Sequence, residues 1–371
     1  MAATGVIIGL VRATWFYPRH GVTDDYRAFE LTAQLTLDGV NVYAASDLYR
    51  YGPGWQAMLW VLGQFTPPDS TIFRMAVVGL LTATDVVIAW CLGRLVGRRV
   101  CWLFLLNPLS MIISGFHLQF DNIALAIGLA AIVATRRGAA SSWLTHPITI
   151  GLVGLSLVVK HLLFVLPIWI LMRANTARQR VSSLVPFAIF GGSFVPWALT
   201  SDGRRGIVED VLLFRSGREV PLLGILGESV EELNRGISVA YGSLALLTLI
   251  GLGWFTRRES ATRWFFLYVL AAFALSPGLS NQQLVALLLA LLGLRSVAAI
   301  PVMLYGWLFL TIHPDGLHAT SDPKSWLSAS ALSGLFDAMI ALEYSPFIVT
   351  ALVVLVVELR RGSAAAAVRG A

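Results

Sequence analysis

Long apolar stretches alternate with short polar turns along this chain, and the turns are of two kinds. One kind is basic: Arg94, Arg98 and Arg99; Arg136 and Arg137; Arg173, Arg178 and Arg180; Arg257, Arg258 and Arg263; Arg295; and the tail from Arg360. Between successive basic turns lies an apolar hairpin whose tip carries Asp, His, Lys, Asn or Gln instead. Read as helices, the apolar stretches give about twelve spans, near 3–17, 71–96, 100–116, 121–135, 147–160, 162–173, 182–199, 237–255, 264–276, 283–294, 297–312 and 346–358. Several hold only about 12 to 17 apolar residues, fewer than the roughly 20 needed to cross a hydrocarbon core. Their outer ends finish in polar sequence, which is tolerated at membrane depth only under protein or in a water-filled cavity. The pattern therefore predicts an outward-facing cleft.

Three longer segments interrupt the alternation: 18–70, 201–236 and 313–345. The first predicts an interfacial helix from about Asp24 to Asp38, with Tyr26, Phe29, Ala33 and Leu37 at helical spacing on one face. A tight aromatic turn, Tyr49-Arg50-Tyr51-Gly52-Pro53, follows. The apolar run from Trp55 to Phe65, stopped by Thr66-Pro67-Pro68, is too short to span alone and is expected to dip into the interface.

Composition agrees with this pattern. Of 371 residues, 57% are hydrophobic and 13% charged, with a mean hydropathy of +0.74, so the fold class is an all-α polytopic membrane protein built as one domain over residues 1–371. A pI near 9.6 raises nucleic acid as a partner, but the arginines sit in turns where the positive-inside bias accounts for them, and no nucleic-acid partner is expected. The same bias puts the basic turns and both termini in the cytoplasm and the other tips outside. The first apolar stretch, Val6 to Tyr17, has no charged leader and is expected to be a retained span. Cys91 and Cys101 suggest neither a disulfide framework nor a metal motif.

The candidate chemistry lies on the outer side. Thr23-Asp24-Asp25-Tyr26 has two readings: Thr23 caps a helix whose first turn carries two carboxylates, or Asp25, with Asp24 its neighbour, acts as a general base in the cleft. At the next tip, His117, Gln119, Asp121 and Asn122 form either a polar network or a substrate site; if helical, His117 and Asp121 share a face. Lys160 and His161 form a third tip, where the lysine either snorkels to headgroups or holds a phosphate. Arg215 and Arg218 lie on the side where charge bias does not require them; they pair phosphate oxygens, bind lipid headgroups or pair with nearby carboxylates. Arg204 and Arg205 are a weaker version of that signal. Asn281 and Gln282 form a neutral tip that either bonds sugar hydroxyls or starts a helix.

Taken together, Asp25-Tyr26, Asp38-Gly39-Val40-Asn41-Val42-Tyr43 and Tyr49-Arg50-Tyr51-Gly52-Pro53 resemble the first outer loop of the first mannosyltransferase of glycosylphosphatidylinositol anchor assembly. His117-Leu118-Gln119-Phe120-Asp121-Asn122 and Lys160-His161 look like tips of the glucosyltransferases that extend the N-glycan lipid precursor. Both belong to the GT-C superfamily of membrane glycosyltransferases. The resemblance implies a bundle of about twelve transmembrane helices and inverting transfer of a hexose, in first place mannose. The donor would be a polyprenyl-phosphate sugar and the acceptor a lipid-linked or other glycan, with Asp25 as base. Lys160, His161, Arg215 and Arg218 would hold the phosphate, and Tyr51, His117, Gln119, Asp121, Asn122, Asn281 and Gln282 would contact substrate. Adjacent aspartates replace that family's Asp-x-Asp, so no cofactor or metal is expected. A membrane transporter or flippase and a membrane acyltransferase using His117 are the rival classes; charges cluster at the outer tips and only Asp85 sits well within a span, which favours transfer.

Overall fold

A computed structural model describes residues 1–15, 23–135, 146–212, 231–276, 283–312, 342 and 344–370. Every element among them is helical. The α-helices are α1 (Ala2–Trp15), α2 (Asp24–Leu37), α3 (Val42–Ala45), α4 (Pro53–Phe65), α5 (Thr71–Leu95), α6 (Arg98–Leu105), α7 (Pro108–Gly115), α8 (Asp121–Thr135) and α9 (Pro147–Val159). They continue as α10 (Val165–Met172), α11 (Ala177–Ser193), α12 (Ser201–Gly206), α13 (Glu231–Phe255), α14 (Ala261–Ala274), α15 (Leu284–Gly293), α16 (Ala299–Ile312) and α17 (Ser345–Gly370).

The all-helical expectation holds; the expected set of about twelve crossings is not what the helix lengths give. Among the described residues one helix, α5, is long and apolar enough to cross a membrane alone, while eight others are shorter apolar helices of 10–17 residues. The stretch expected as one span over 100–116 is two eight-residue helices, α6 and α7. The interruption has a local cause. Asn107 leaves helical geometry and caps α7, its Oδ1 accepting from the Ser110 amide at 2.7 Å, and Pro108 follows as the first helical residue, where its missing N–H is not needed. The chain breaks again at Lys160, which is extended between α9 and a 3-10 turn, His161–Leu163, leading into α10.

Two apolar clusters organise the helices. The larger one surrounds α15, whose residues Leu284 to Leu292 are all buried and whose sequence is apolar all round, as an internal helix requires. Stacked Trp169 and Trp264, 4.5 Å apart, extend it between α10 and α14. The smaller cluster joins α2 and α4 to α5 and α8 through Tyr26, Phe29, Trp55, Phe73 and Ile123, with Phe120 just before α8. The helix expected from the spacing of Tyr26, Phe29, Ala33 and Leu37 is α2; the first three residues are buried and Leu37 is half-buried. Thr23 caps it, accepting from the Tyr26 amide at 3.3 Å. The run from Trp55 to Phe65 forms α4, which packs against α2 and α9.

Gly52 seats the aromatic turn. A methyl group there would collide with the Val158 carbonyl oxygen, so only glycine lets the turn lie against the end of α9, next to Lys160. Tyr49 donates to the Gly52 carbonyl at 2.7 Å and Tyr43 to that of Tyr51 at 3.0 Å, which fixes the turn from both sides.

Candidate functional site

Five of the expected site residues, Asp25, Tyr51, Gln119, Asp121 and Lys160, meet at the smaller apolar cluster. Asp25 stands in the first turn of α2, so the capping reading of Thr23 and an inward-turned carboxylate are both realised. Its Oδ1 accepts from the Tyr51 hydroxyl at 3.1 Å and its Oδ2 from the Gln119 amide. Asp121, the first residue of α8, pairs with the Lys160 ammonium; the two side chains are only 4% and 12% exposed, so this pair is withdrawn from bulk water. The ammonium also lies over the rings of Phe120, at 5.1 Å, and Tyr51, at 5.7 Å, where the faces attract a cation.

Aromatic packing makes the floor rigid. Phe120 stacks on Trp55 with centroids 4.4 Å apart and planes 6° apart, and meets Tyr51 edge-on at 4.7 Å. Phe29 packs edge-on against Trp55 at 5.1 Å. Tyr51 and Phe120 therefore have little freedom to leave the groups they support.

Burial pushes the Asp25 carboxyl above the usual carboxylate range. The hydrogen bonds from Tyr51 and Gln119 and the charge of Lys160 oppose the rise, and Asp121 adds to it. Burial raises the Tyr51 hydroxyl well above its ordinary value, and neighbouring Asp25 pushes the same way, so Tyr51 stays a donor. The arrangement is a partly shielded carboxylate, oriented on both oxygens, with an ion pair at its side. Such a carboxylate is suited to accepting a proton.

The loop that links these groups, residues 116–120 between α7 and α8, is not helical, and this overturns one expectation. His117 and Asp121 do not share a helical face: Leu118 is left-handed, at φ 56°, and Asp121 only begins the next helix. His117 is buried beside the Phe116 ring at 5.1 Å. Asn122 points away from the Asp25 cluster, donating to Asp85 at 2.8 Å. His161 is exposed at the start of its 3-10 turn. Arg205 pairs with Glu209 at 3.1 Å on the surface, and Arg204 donates to the Ala198 carbonyl. Arg215, Arg218, Asn281, Gln282 and the side chain of Asp24 lie outside the described residues.

The pairing of a second polar group escaped the sequence reading. Arg12 and Asp85, both buried, pair at 2.8 Å between α1 and α5, and Arg12 also donates to Thr82 and Ser110. The signal was present as two opposite charges, each inside an apolar stretch, since ionisable groups at such positions need a partner. Among the described residues no group of three or more His, Cys, Asp or Glu is placed to hold a metal ion. A cavity of about 260 Å³ opens beside Ser260, Arg263, Arg295 and Glu358, and none of its lining residues belongs to the Asp25 cluster. No family model, curated protein or solved structure matches the chain.

Proposed function

We propose that this chain is an inverting membrane glycosyltransferase of the GT-C layout, with about twelve spans, moving a hexose, in first place mannose, from a polyprenyl-phosphate donor to a lipid-linked or other glycan acceptor on the non-cytoplasmic side. The observation that carries the reading is the Asp25 carboxylate, held by Tyr51 and Gln119 beside the Lys160–Asp121 pair. Asp25 removes the proton of the acceptor hydroxyl while that oxygen attacks the anomeric carbon. The bond from that carbon to the donor phosphate breaks, and polyprenyl phosphate leaves with the electron pair. Phosphate is already a good leaving group, so the site needs cations for its growing charge more than a general acid. Lys160 fills that role by exchanging Asp121 for phosphate, with His161, Arg215 and Arg218 as further phosphate partners.

The membrane setting is supported by an apolar exterior. Val6, Ile7 and Leu10 on α1, Leu244 and Leu247 on α13, and Val349 and Val353 on α17 are more than half exposed, a surface that water disfavours and lipid accepts. Helix pairs broken at Asn107 and Lys160 supply depth that single short helices lack, with the buried Asn107 break covered by protein.

The test supplies membranes containing the protein with radiolabelled polyprenyl-phosphate mannose, glucose or arabinofuranose and follows label into acceptor lipid. Transfer from one donor, absent without the protein, is expected. No transfer from any donor, with labelled lipid moved between leaflets instead, would replace the reading by a flippase.

A further inference from the structure

The loop of residues 116–120 presents two of the groups the site depends on, Gln119 within it and Asp121 at its end, and it carries one residue in a disfavoured backbone conformation. A non-glycine residue at positive φ, here Leu118, is disfavoured by contact between its Cβ and the backbone, and persists only where its surroundings hold it. The backbone of the loop is tied to both neighbouring helices: the amides of His117 and Gln119 donate to the carbonyls of Ile112 and Ile113 in the last turn of α7 at 3.1 and 3.2 Å, and the Ile123 amide of α8 donates to the Phe120 carbonyl at 2.8 Å.

Aromatic packing holds Phe120, and Asp85 ties the two stems together. Its Oδ1 accepts from Asn122, the second residue of α8, at 2.8 Å, and its Oδ2 from the Ser114 hydroxyl, in the last turn of α7, at 3.0 Å. Asn122 also reaches Ser114 directly at 3.4 Å, which closes the triangle. One carboxylate thus joins the two stems of the loop. Arg12 anchors it from the far side at 2.8 Å, and is itself tied to Thr82 at 3.1 Å and Ser110 at 2.9 Å. All six side chains are buried, so water cannot substitute for a missing partner.

The geometry points to Asp85, braced by Arg12, as the positioning residue of this site: its carboxylate staples the stems of the loop that aims Gln119 at Asp25 and Asp121 at Lys160. The catalytic part of this inference rests on the proposed transfer reaction; the staple does not. Asp85 touches neither Asp25 nor Lys160 and acts through Asn122 and Ser114.

The test uses the full-length protein in detergent and two substitutions. Asn122→Ala removes the α8 arm and leaves the Arg12–Asp85 pair intact, so the fold is retained; Asp85→Asn removes the staple and sets an amide against Arg12. Hydrogen exchange of the peptide covering residues 115–123 is expected to quicken about 10-fold in Asn122→Ala and further in Asp85→Asn, because the His117 and Gln119 amides open with the loop. Turnover with polyprenyl-phosphate mannose should fall by up to about 100-fold, the cost of misplacing a reacting group by roughly an ångström.

Loss of the Gln119 amide from Asp25 should also move the acid limb of the turnover profile to higher pH, whereas a smaller folded fraction would lower turnover without moving the limb. Tyr51, Lys160 and Asp121 face Asp25 as well and are chemically unchanged in both variants. In a Gln119→Leu background, Asn122→Ala should shift the limb no further, since both act through one contact. Unchanged exchange in both variants, or a limb that still moves in that background, would overturn the inference. Exchange is read whether or not sugar moves, so a failed staple shows as unaltered exchange and a failed reaction as absent wild-type turnover.

Discussion

The hydroxyl of Tyr51 lies 3.1 Å from Asp25 Oδ1 and donates to it, joining the aromatic turn to the first turn of α2. Tyr51 is itself wedged edge-on against Phe120, so packing holds the hydrogen bond in place. The consequence is a carboxylate whose orientation is set before any substrate arrives. Preorganisation of this kind is what a proposed base needs, because it removes the reorganisation cost at the moment of proton transfer.

Replacing Asp25 by Asn should abolish sugar transfer without loss of folded protein. The amide preserves shape and can still accept from Tyr51, but it cannot take the proton of an acceptor hydroxyl. A lost general base costs about 100-fold to 10,000-fold in rate. Asp24→Asn should cost less. Turnover of each purified variant, normalised to the monodisperse fraction in gel filtration, is the measurement; near-wild-type turnover by Asp25→Asn would leave that carboxylate with a structural role.

Tyr51→Phe tests the orientation separately from the base. The ring keeps its contacts with Phe120 and Tyr49, and the loss of one hydrogen bond should cost stability about 0.5–1.5 kcal/mol. The sign of the kinetic effect follows from charge. A hydrogen bond to the ionised form lowers the Asp25 pKa, so its removal raises a group that burial has already raised. Turnover requires the ionised carboxylate and falls as pH drops through that value; the acid limb should therefore move to higher pH. Turnover measured across pH at saturating substrate checks it, and an unmoved limb would mean that another group sets the profile.

How much of this was legible in the sequence varies with the range of the interaction. Helix α2 was, since Thr23 caps it and Tyr26, Phe29 and Ala33 repeat at helical spacing, both local signals. Asp25 was legible as a carboxylate in the first turn of that helix, on the side of the other polar tips, and Lys160 as a cation between apolar flanks. Gln119 and Asp121 were legible as polar residues of a tip, but their pairing with Asp25 and Lys160 was not, because tertiary packing brings them together. The spacing of His117 and Asp121 suggested a helix, and Leu118 in the left-handed region defeats that suggestion; no local pattern announces such a residue when it is not glycine. The break at Asn107-Pro108 carried a capping signal that the apolar residues on both sides outweighed.

Sidedness can be read with cysteines, since both native ones are buried and should not react with polar reagents. Asp47, in the segment proposed to lie on the non-cytoplasmic side, and Ser260, in a basic turn, are exposed. A membrane-impermeant maleimide on sealed vesicles should label Asp47→Cys from the non-cytoplasmic face alone and Ser260→Cys only after the vesicles are opened or inverted. Labelling of both from one face would break the alternation on which the span assignment depends.

The Lys160–Asp121 pair gives opposite predictions for its two members, and so separates a phosphate-binding role from a merely structural one. If the ammonium leaves Asp121 for donor phosphate, Lys160→Gln should raise the donor KM by roughly 10-fold to 150-fold, the worth of about 1.5–3 kcal/mol for a charge-assisted hydrogen bond. Asp121→Asn should lower the donor KM, because the cation no longer has to exchange a carboxylate for the phosphate. Both substitutions should destabilise the fold, since each leaves a buried charge without its counterpart, and a purely structural pair would show that loss alone. A donor titration at fixed acceptor, beside a thermal melt of each variant, distinguishes the cases: KM values moving apart assign Lys160 to the phosphate, while melting temperatures that fall with KM unchanged return the pair to packing.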